Sequence, residues 1–147
     1  MPRSKPVSIM VSSLDMAKKY GIFNRAALKM AKKYWPGPLT IIVKKKKSLP
    51  SFLNPSAKTI GIRFSSHTLS QALVSQFGSP LTTTSANIST LPSPYSVSTI
   101  QKQFCKQKIR PNYILNAGRL AKNPPSTIID TSTKKITIIR VGELMPK

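Results

Sequence analysis

Acidic side chains are nearly absent from this sequence. Three of its 147 residues are Asp or Glu, against 24 Lys and Arg, for a formal charge of +21. Asp15, Asp130 and Glu143 are too few for a carboxylate metal cage, and they disfavour glycoside chemistry, which needs two acids facing one substrate. Glycine is scarce too: six scattered residues exclude a GxGxxG or GxxxxGK[ST] phosphate loop. One cysteine, Cys105, allows neither an internal disulfide nor a thiolate metal site and reads as a small buried apolar residue. His67 is the only histidine, and nothing in its spacing from Cys105 favours a nucleophilic pair. No stretch approaches the ~18 apolar residues of a membrane span, and the opening MPRSKPVSIMV has no signal-peptide cleavage pattern. A soluble, cytoplasmic protein is the expectation.

What is present is enough apolar residue, 39%, to build one ordinary domain with a real core. Basic residues crowd residues 1–63 and return from Lys102 onward, but between Phe64 and Gln101 there is no Asp, Glu, Lys or Arg. Such a gap marks either a packed core segment or a face turned to a ligand whose charge is met from elsewhere. The bulk charge attracts polyanions by counterion release. Aromatics do not interleave with the basic residues, so a stacking platform for single strands is poorly supported. The run Lys44–Lys47 reads as a solvated hairpin or loop after a strand.

Short β-rich runs alternate with amphipathic segments, which predicts an α/β or α+β layer structure: an open, twisted, mixed sheet with flanking helices, in a single domain over residues 1–147. Strands are expected at 7–11, 39–43, 59–63, 81–84, 112–116, 126–130 and 135–141. Ser13 caps a short helix to Tyr20, and Asn24 caps a second that Pro36-Gly37-Pro38 stops. Further helices are expected at 68–77, with Leu69, Ala72, Leu73 and Phe77 inward, and at 96–107.

Three strings stand out: Trp35-Pro36-Gly37-Pro38-Leu39-Thr40; Gly61-Ile62-Arg63 with His67 four residues on; and Thr83-Thr84-Ser85-Ala86-Asn87. With Ser126-Thr127-Ile128-Ile129-Asp130 and Arg140-Val141-Gly142, they stand in the order and at the separations of the YrdC-like family, the threonylcarbamoyl-adenylate synthases of tRNA modification, which this chain resembles over nearly its whole length. The resemblance implies that L-threonine, bicarbonate and ATP are joined into threonylcarbamoyl-adenylate with release of pyrophosphate, for the downstream tRNA threonylcarbamoyl transfer machinery. Such chemistry rests on positioning and charge neutralisation more than on side-chain acid and base work, so no catalytic residue is singled out. Magnesium accompanying ATP would be held mainly by phosphates and water, with no protein metal site.

By resemblance, Ser85 and Asn87 meet ATP. On local sequence alone they equally suit an ST- or Asx-turn without ligand. Thr83 shares their face and would touch threonine, whose carboxylate Arg63 would clamp. Thr59 would line the ATP side, Ser126 the loop over the nucleotide. Arg140 would neutralise phosphate or pair with Asp130. Thr40 reads as fixing a turn, and His67 as a helix-start residue supporting Arg63.

The chain departs from the family pattern at its beginning, where Met1 falls at the Arg of a K-x-R-P motif and the usual first segment has no counterpart. Arg3 and Lys5 would partly replace those cations toward ATP. The expectation is a domain truncated at its N-terminus, with little threonine-dependent pyrophosphate release. The alternative is a degenerate module that binds nucleotide or double-stranded RNA without the full reaction. Ser89-Thr90 also departs, standing where the family usually has Ser-Gly.

Overall fold

The structure, a computed structural model, describes residues 7–146. Of these, the residues within Met1–Thr83 and Pro124–Lys147 form one compact unit, and those within Thr84–Asn123 form a smaller one.

The larger unit contains β1 (Ser8–Met10), α1 (Leu14–Tyr20), β2 (Gly21–Ile22), α2 (Arg25–Tyr34), β3 (Leu39–Lys45), β4 (Thr59–Arg63), α3 (Thr68–Phe77) and β5 (Leu81–Thr83). After the smaller unit, whose helix is α4 (Val97–Phe104), it resumes with β6 (Thr127–Asp130) and β7 (Thr137–Arg140). The strands form one open mixed sheet in the order β5-β1-β4-β3-β6-β7, with β2 paired to the Lys44–Lys45 end of β3. The β1/β4 and β3/β6 pairs are parallel and the others antiparallel.

Local chemistry explains the helices. The Ser13 hydroxyl accepts from Met16 N at 3.0 Å, and Asn24 Oδ1 from Ala27 N at 2.8 Å, so each satisfies a helix-start donor as its sequence position foretells. The long α2 ends at Trp35, because Pro36 cannot continue it.

Alternation along the strands divides the sheet into two unlike faces. One carries Ile9, Leu39, Ile41, Val43, Ile60, Ile62, Thr127 and Ile129, all essentially inaccessible, and its apolar members cluster with Ala17, Ala27, Met30 and Ala31 of α1 and α2. Each fully buried large aliphatic contributes about 1.5–3 kcal/mol, and alanines on the helices let these approach the sheet closely. The other face bears Ser8, Met10, Thr40, Ile42, Thr59, Gly61, Arg63, Ile128 and Thr83. It is half-buried at most of these positions.

Several expectations need correction. Residues 112–116 form no strand, and Tyr113 and Leu115 are exposed; β propensity makes a strand only where an edge accepts it. Helix α3 has the expected bounds, yet it buries Val74 while Leu69, Ala72, Leu73 and Phe77 are exposed. A helix with apolar residues on more than one side leaves its inward face undecided by periodicity. Cys105 is exposed, not buried. It follows α4 one residue beyond Phe104 and so leaves the Val97–Ile100–Phe104 stripe, its thiol donating to Lys102 O. The lysine run is only half loop, since Lys44 and Lys45 belong to β3 and Lys45 Nζ donates to Asn54 O at 2.9 Å.

In the smaller unit, Thr90 has φ of +79°. That left-handed backbone is costly for a β-branched residue and easy for glycine. Thr90→Gly is therefore expected to stabilise the protein by about 1 kcal/mol, read as a higher urea midpoint at unchanged slope. A lower midpoint would show that Thr90 is not strained.

Candidate functional site

The register of the sheet lines up a single row across the half-buried face. Met10 is opposite Arg63, Arg63 opposite Thr40, Thr40 opposite Ile128, and Ile128 opposite Arg140. Arg140 reaches this row through an irregularity. Ile129 pairs with Ile138, but Ile128 pairs with Arg140, so β7 carries Ile139 as an extra residue. In regular register Ile139 would oppose Ile128, and Arg140 would fall on the core side beside Thr127. The bulge turns Arg140 onto the face that carries Arg63.

A polar network joins the row. Arg140 grips the Ser126 carbonyl with Nε at 3.1 Å and Nη2 at 2.7 Å, and Nη2 also donates to Ser126 Oγ at 3.2 Å. The Ser126 hydroxyl lies 3.0 Å from Thr40 Oγ1 in a buried contact. Arg140 thus pairs with Ser126, whereas Asp130 accepts from Ser132 N. Arg63 has its Nε buried without a hydrogen-bond partner. Burial lowers its pKa and the nearby Arg140 lowers it further, while Glu143 opposes both; a guanidinium nonetheless stays protonated. An orphaned, charged donor of this kind is satisfied by an incoming acceptor, and a carboxylate supplies one.

The Pro-Gly-Pro turn sets the spacing of these groups. Gly37 N donates to Phe64 O at 2.8 Å, next to Arg63, and Pro38 O accepts from Thr127 N at 2.9 Å, next to Ser126. Trp35 Nε1 closes the turn on Leu39 O at 2.8 Å. One motif therefore holds both the Arg63 end of β4 and the Ser126 end of β6.

Thr83 shares the face one strand beyond β1, its hydroxyl 2.9 Å from Ser8 Oγ. Thr59 has the same orientation but stands at the other end of β4, opposite Lys44, about 13 Å along the strand from Arg63. His67 precedes α3 with an exposed side chain that makes no capping bond, so the support expected for Arg63 is not seen. Arg3 and Lys5 lie outside the described residues.

Ser85 and Asn87 belong to the smaller unit. The Asn87 amide nitrogen donates to Ile88 O at 3.0 Å and Leu91 O at 2.6 Å, which folds the loop, while its Oδ1 is buried without a partner. Ser85 is exposed. Sequence reasoning missed two members of the larger unit's cluster. Thr40 was readable from its place as the polar alternate in an otherwise apolar strand. Glu143 was readable as one of only three acids, placed directly after Arg140-Val141-Gly142.

Comparison with known proteins bears on the family and the fold. Residues 1–142 match the model of the Sua5/YciO/YrdC family, described as telomere recombination. A Methanocaldococcus jannaschii protein, named provisionally as a threonylcarbamoyl-AMP synthase, is 40% identical over 139 residues, covering 95% of this chain and 63% of that protein. The crystal structure of Pyrococcus abyssi Sua5 complexed with L-threonine superposes with a TM-score of 0.84 at 28% identity, over 96% of this chain and 41% of that one. Escherichia coli YciO superposes with a TM-score of 0.82 at 27% identity, over 97% and 68%. The chain thus spans less than two thirds of the first two of these relatives. The chain belongs to the Sua5/YciO/YrdC family.

Proposed function

We propose that this chain carries out, or forms the major part of a protein that carries out, L-threonylcarbamoyladenylate synthesis: L-threonine, bicarbonate and ATP yield threonylcarbamoyl-AMP, pyrophosphate and water. The observation that carries this reading is the buried, unpartnered Arg63 Nε on a face that also holds Thr83 and Arg140, with the Ser126 hydroxyl bonded to Thr40 and Arg140 of that face. Relatives named threonylcarbamoyl-AMP synthase and a relative solved with L-threonine support it.

In this reading Arg63 takes the threonine carboxylate and Thr83 a second polar group of the same amino acid. Ser126 and Arg140 serve ATP, as do Ser85, Asn87, Thr59 and Arg3. The donors are guanidinium, hydroxyl and amide groups, which orient anions and offset charge as the phosphoanhydride bond breaks. Carboxylates do not gather: among the described residues no three His, Cys, Asp or Glu side chains could share a metal. Magnesium arriving with ATP would keep phosphate and water ligands. The product would pass to the tRNA threonylcarbamoyl transfer machinery in the cytoplasm. No helix among the described residues is long and apolar enough to cross a membrane.

Pyrophosphate release from ATP that depends on both threonine and bicarbonate tests the proposal. A second reading, a module that binds nucleotide or double-stranded RNA without the reaction, is favoured by the charge of +21. ATP or RNA binding with neither threonine binding nor threonine-dependent release would select it. For the nucleotide itself, Asn87→Ala is expected to weaken ATP binding about tenfold, the size of one good hydrogen bond. Calorimetry showing unchanged affinity would remove Asn87 from the nucleotide site.

A further inference from the structure

We propose that the hollow between the end of α1, β2 and α2 docks an acidic segment of a partner protein, which seats one large apolar side chain on Ile22, Phe23 and Leu28 and sets its carboxylates against Lys18, Lys46 and the outer row of α2. This surface lies on the helix-covered side of the sheet, away from the face that carries Arg63, and the inference stands independently of the reaction proposed above.

The hollow measures about 240 Å³ and is lined by Lys18, Gly21, Ile22, Phe23, Leu28 and Lys46. That is below the roughly 300–1,000 Å³ of small-molecule sites and suits a single anchoring side chain, the usual centre of a protein interface. Its floor is apolar because β2 has only two residues, and alternation gives them opposite faces. Gly21 faces the core, where a Cβ would stand 2.5 Å from Val43 Cγ2. Ile22 is therefore turned outward and remains 53% exposed, beside the half-buried Phe23 and Leu28. The rim is fixed from two sides. Lys18 stands in the last turn of α1, while Lys46 N donates to Tyr20 O at 2.8 Å and Ser48 Oγ to Lys19 O at 2.5 Å. A hollow already held in shape lowers the ordering cost of binding.

Charge selects the partner. Residues 14–47 hold ten Lys and Arg and one acid, Asp15, which pairs with Lys18 at 3.5 Å. On α2, the exposed Arg25, Lys29 and Lys32 recur at helical spacing, opposite the buried Ala27, Met30 and Ala31. None of these three cations forms an ion pair among the described residues. Lys29 has a like charge four residues before it and another three after it, and Arg25 stands against the helix dipole in a first turn without an acid. Each placement is unfavourable until an anion meets it. Leu28 adjoins Arg25 and Lys32 on the helix surface, three residues before it and four after, so the row begins at the edge of the hollow. A duplex RNA backbone would meet the cations but brings no side chain for the floor, whereas an acidic segment with one Leu or Phe satisfies both.

The experiment titrates the full chain into a fluorescently labelled synthetic peptide of Glu and Asp around one central Leu, and into its counterpart with Ser in place of that Leu. The Leu peptide is expected to bind wild type about fivefold more tightly than the Ser peptide, and Ile22→Ser to abolish that difference. Lys29→Gln and Lys46→Gln are each expected to weaken both peptides about two- to threefold at low salt. Equal affinity of wild type for the two peptides overturns the docking site, as does binding of neither, or a difference that survives in Ile22→Ser. An RNA hairpin that displaces the Leu peptide, with affinity lowered by Lys29→Gln and untouched by Ile22→Ser, assigns the surface to RNA and overturns the protein partner. Should Ile22→Ser lower the urea midpoint, amide shifts of the wild type decide: Ile22, Phe23 and Leu28 moving with the Leu peptide alone supports the site, and equal movement or none overturns it.

Discussion

Replacing Arg63 by alanine is expected to weaken L-threonine binding about 30- to 100-fold, equivalent to roughly 2–3 kcal/mol for a charge-assisted, two-pronged contact. The magnitude is large because the guanidinium lies on the half-buried face with its Nε already stripped of partners, so the ligand contact replaces no competing protein hydrogen bond. The same circumstance predicts an opposite effect on stability. An orphaned, partly buried cation beside a second arginine is unfavourable in the empty protein, and Arg63→Met, which keeps the stem and removes the charge, is expected to raise unfolding free energy by up to about 1 kcal/mol. Lysine is not an adequate substitute, since an ammonium cannot present the planar fork; Arg63→Lys should recover only part of the affinity. Calorimetry with L-threonine and urea unfolding on the same samples read both effects. Wild-type threonine affinity in Arg63→Ala would show that the carboxylate is held elsewhere, and a less stable Arg63→Met would show that Arg63 is already satisfied.

Gly142→Ala is expected to cost about 3 kcal/mol of stability and to release the turn that follows β7. A Cβ at this position would overlap the Pro125 carbonyl oxygen and stand 2.7 Å from Ser126 C and 2.8 Å from Thr127 N. These are backbone atoms of a strand entrance, fixed on their other side by Pro38 O, so they cannot yield as a flexible side chain would. Relief requires the turn to lift. Hydrogen exchange at Glu143 and Leu144 is then expected to accelerate in Gly142→Ala, since their amides lose the Pro125 carbonyl and the Thr127 hydroxyl. The consequence reaches the candidate site, because Arg140 lies two residues earlier and its grip on Ser126 depends on the same docking. Unaltered exchange and an unaltered unfolding midpoint would falsify the close approach.

Much of this molecule is legible in its residues. Capping by Ser13 and Asn24, the helix stop at Pro36 and the bounds of β4 and α3 follow from local chemistry, because a cap, a proline or an alternating run acts within a few residues of itself. The family resemblance rests on the same kind of information: five short strings in order. Where a decision depends on distant partners, local pattern fails. Residues 112–116 have strand propensity and no strand, α3 turns Val74 inward in place of Leu69, Leu73 and Phe77, and Cys105 is exposed.

The candidate site divides along the same line. The residue types come from the sequence alone: a near absence of carboxylates, the T-x-S-A-N string, and arginines at the end of one strand and before a final x-Gly. That composition already disfavours paired-carboxylate chemistry and favours anion positioning. Which of these residues meet is a matter of register. Thr40 joins Arg63 because β3 and β4 pair in one alignment of many, and Thr59, on the same strand and face, is carried about 13 Å away by four residues of rise. Arg140 faces Arg63 only because β7 holds one extra residue at Ile139. Strand side chains alternate with a period of two, so a single residue reverses every face beyond it, and no property of the string Ile138-Ile139-Arg140 announces where that residue is inserted.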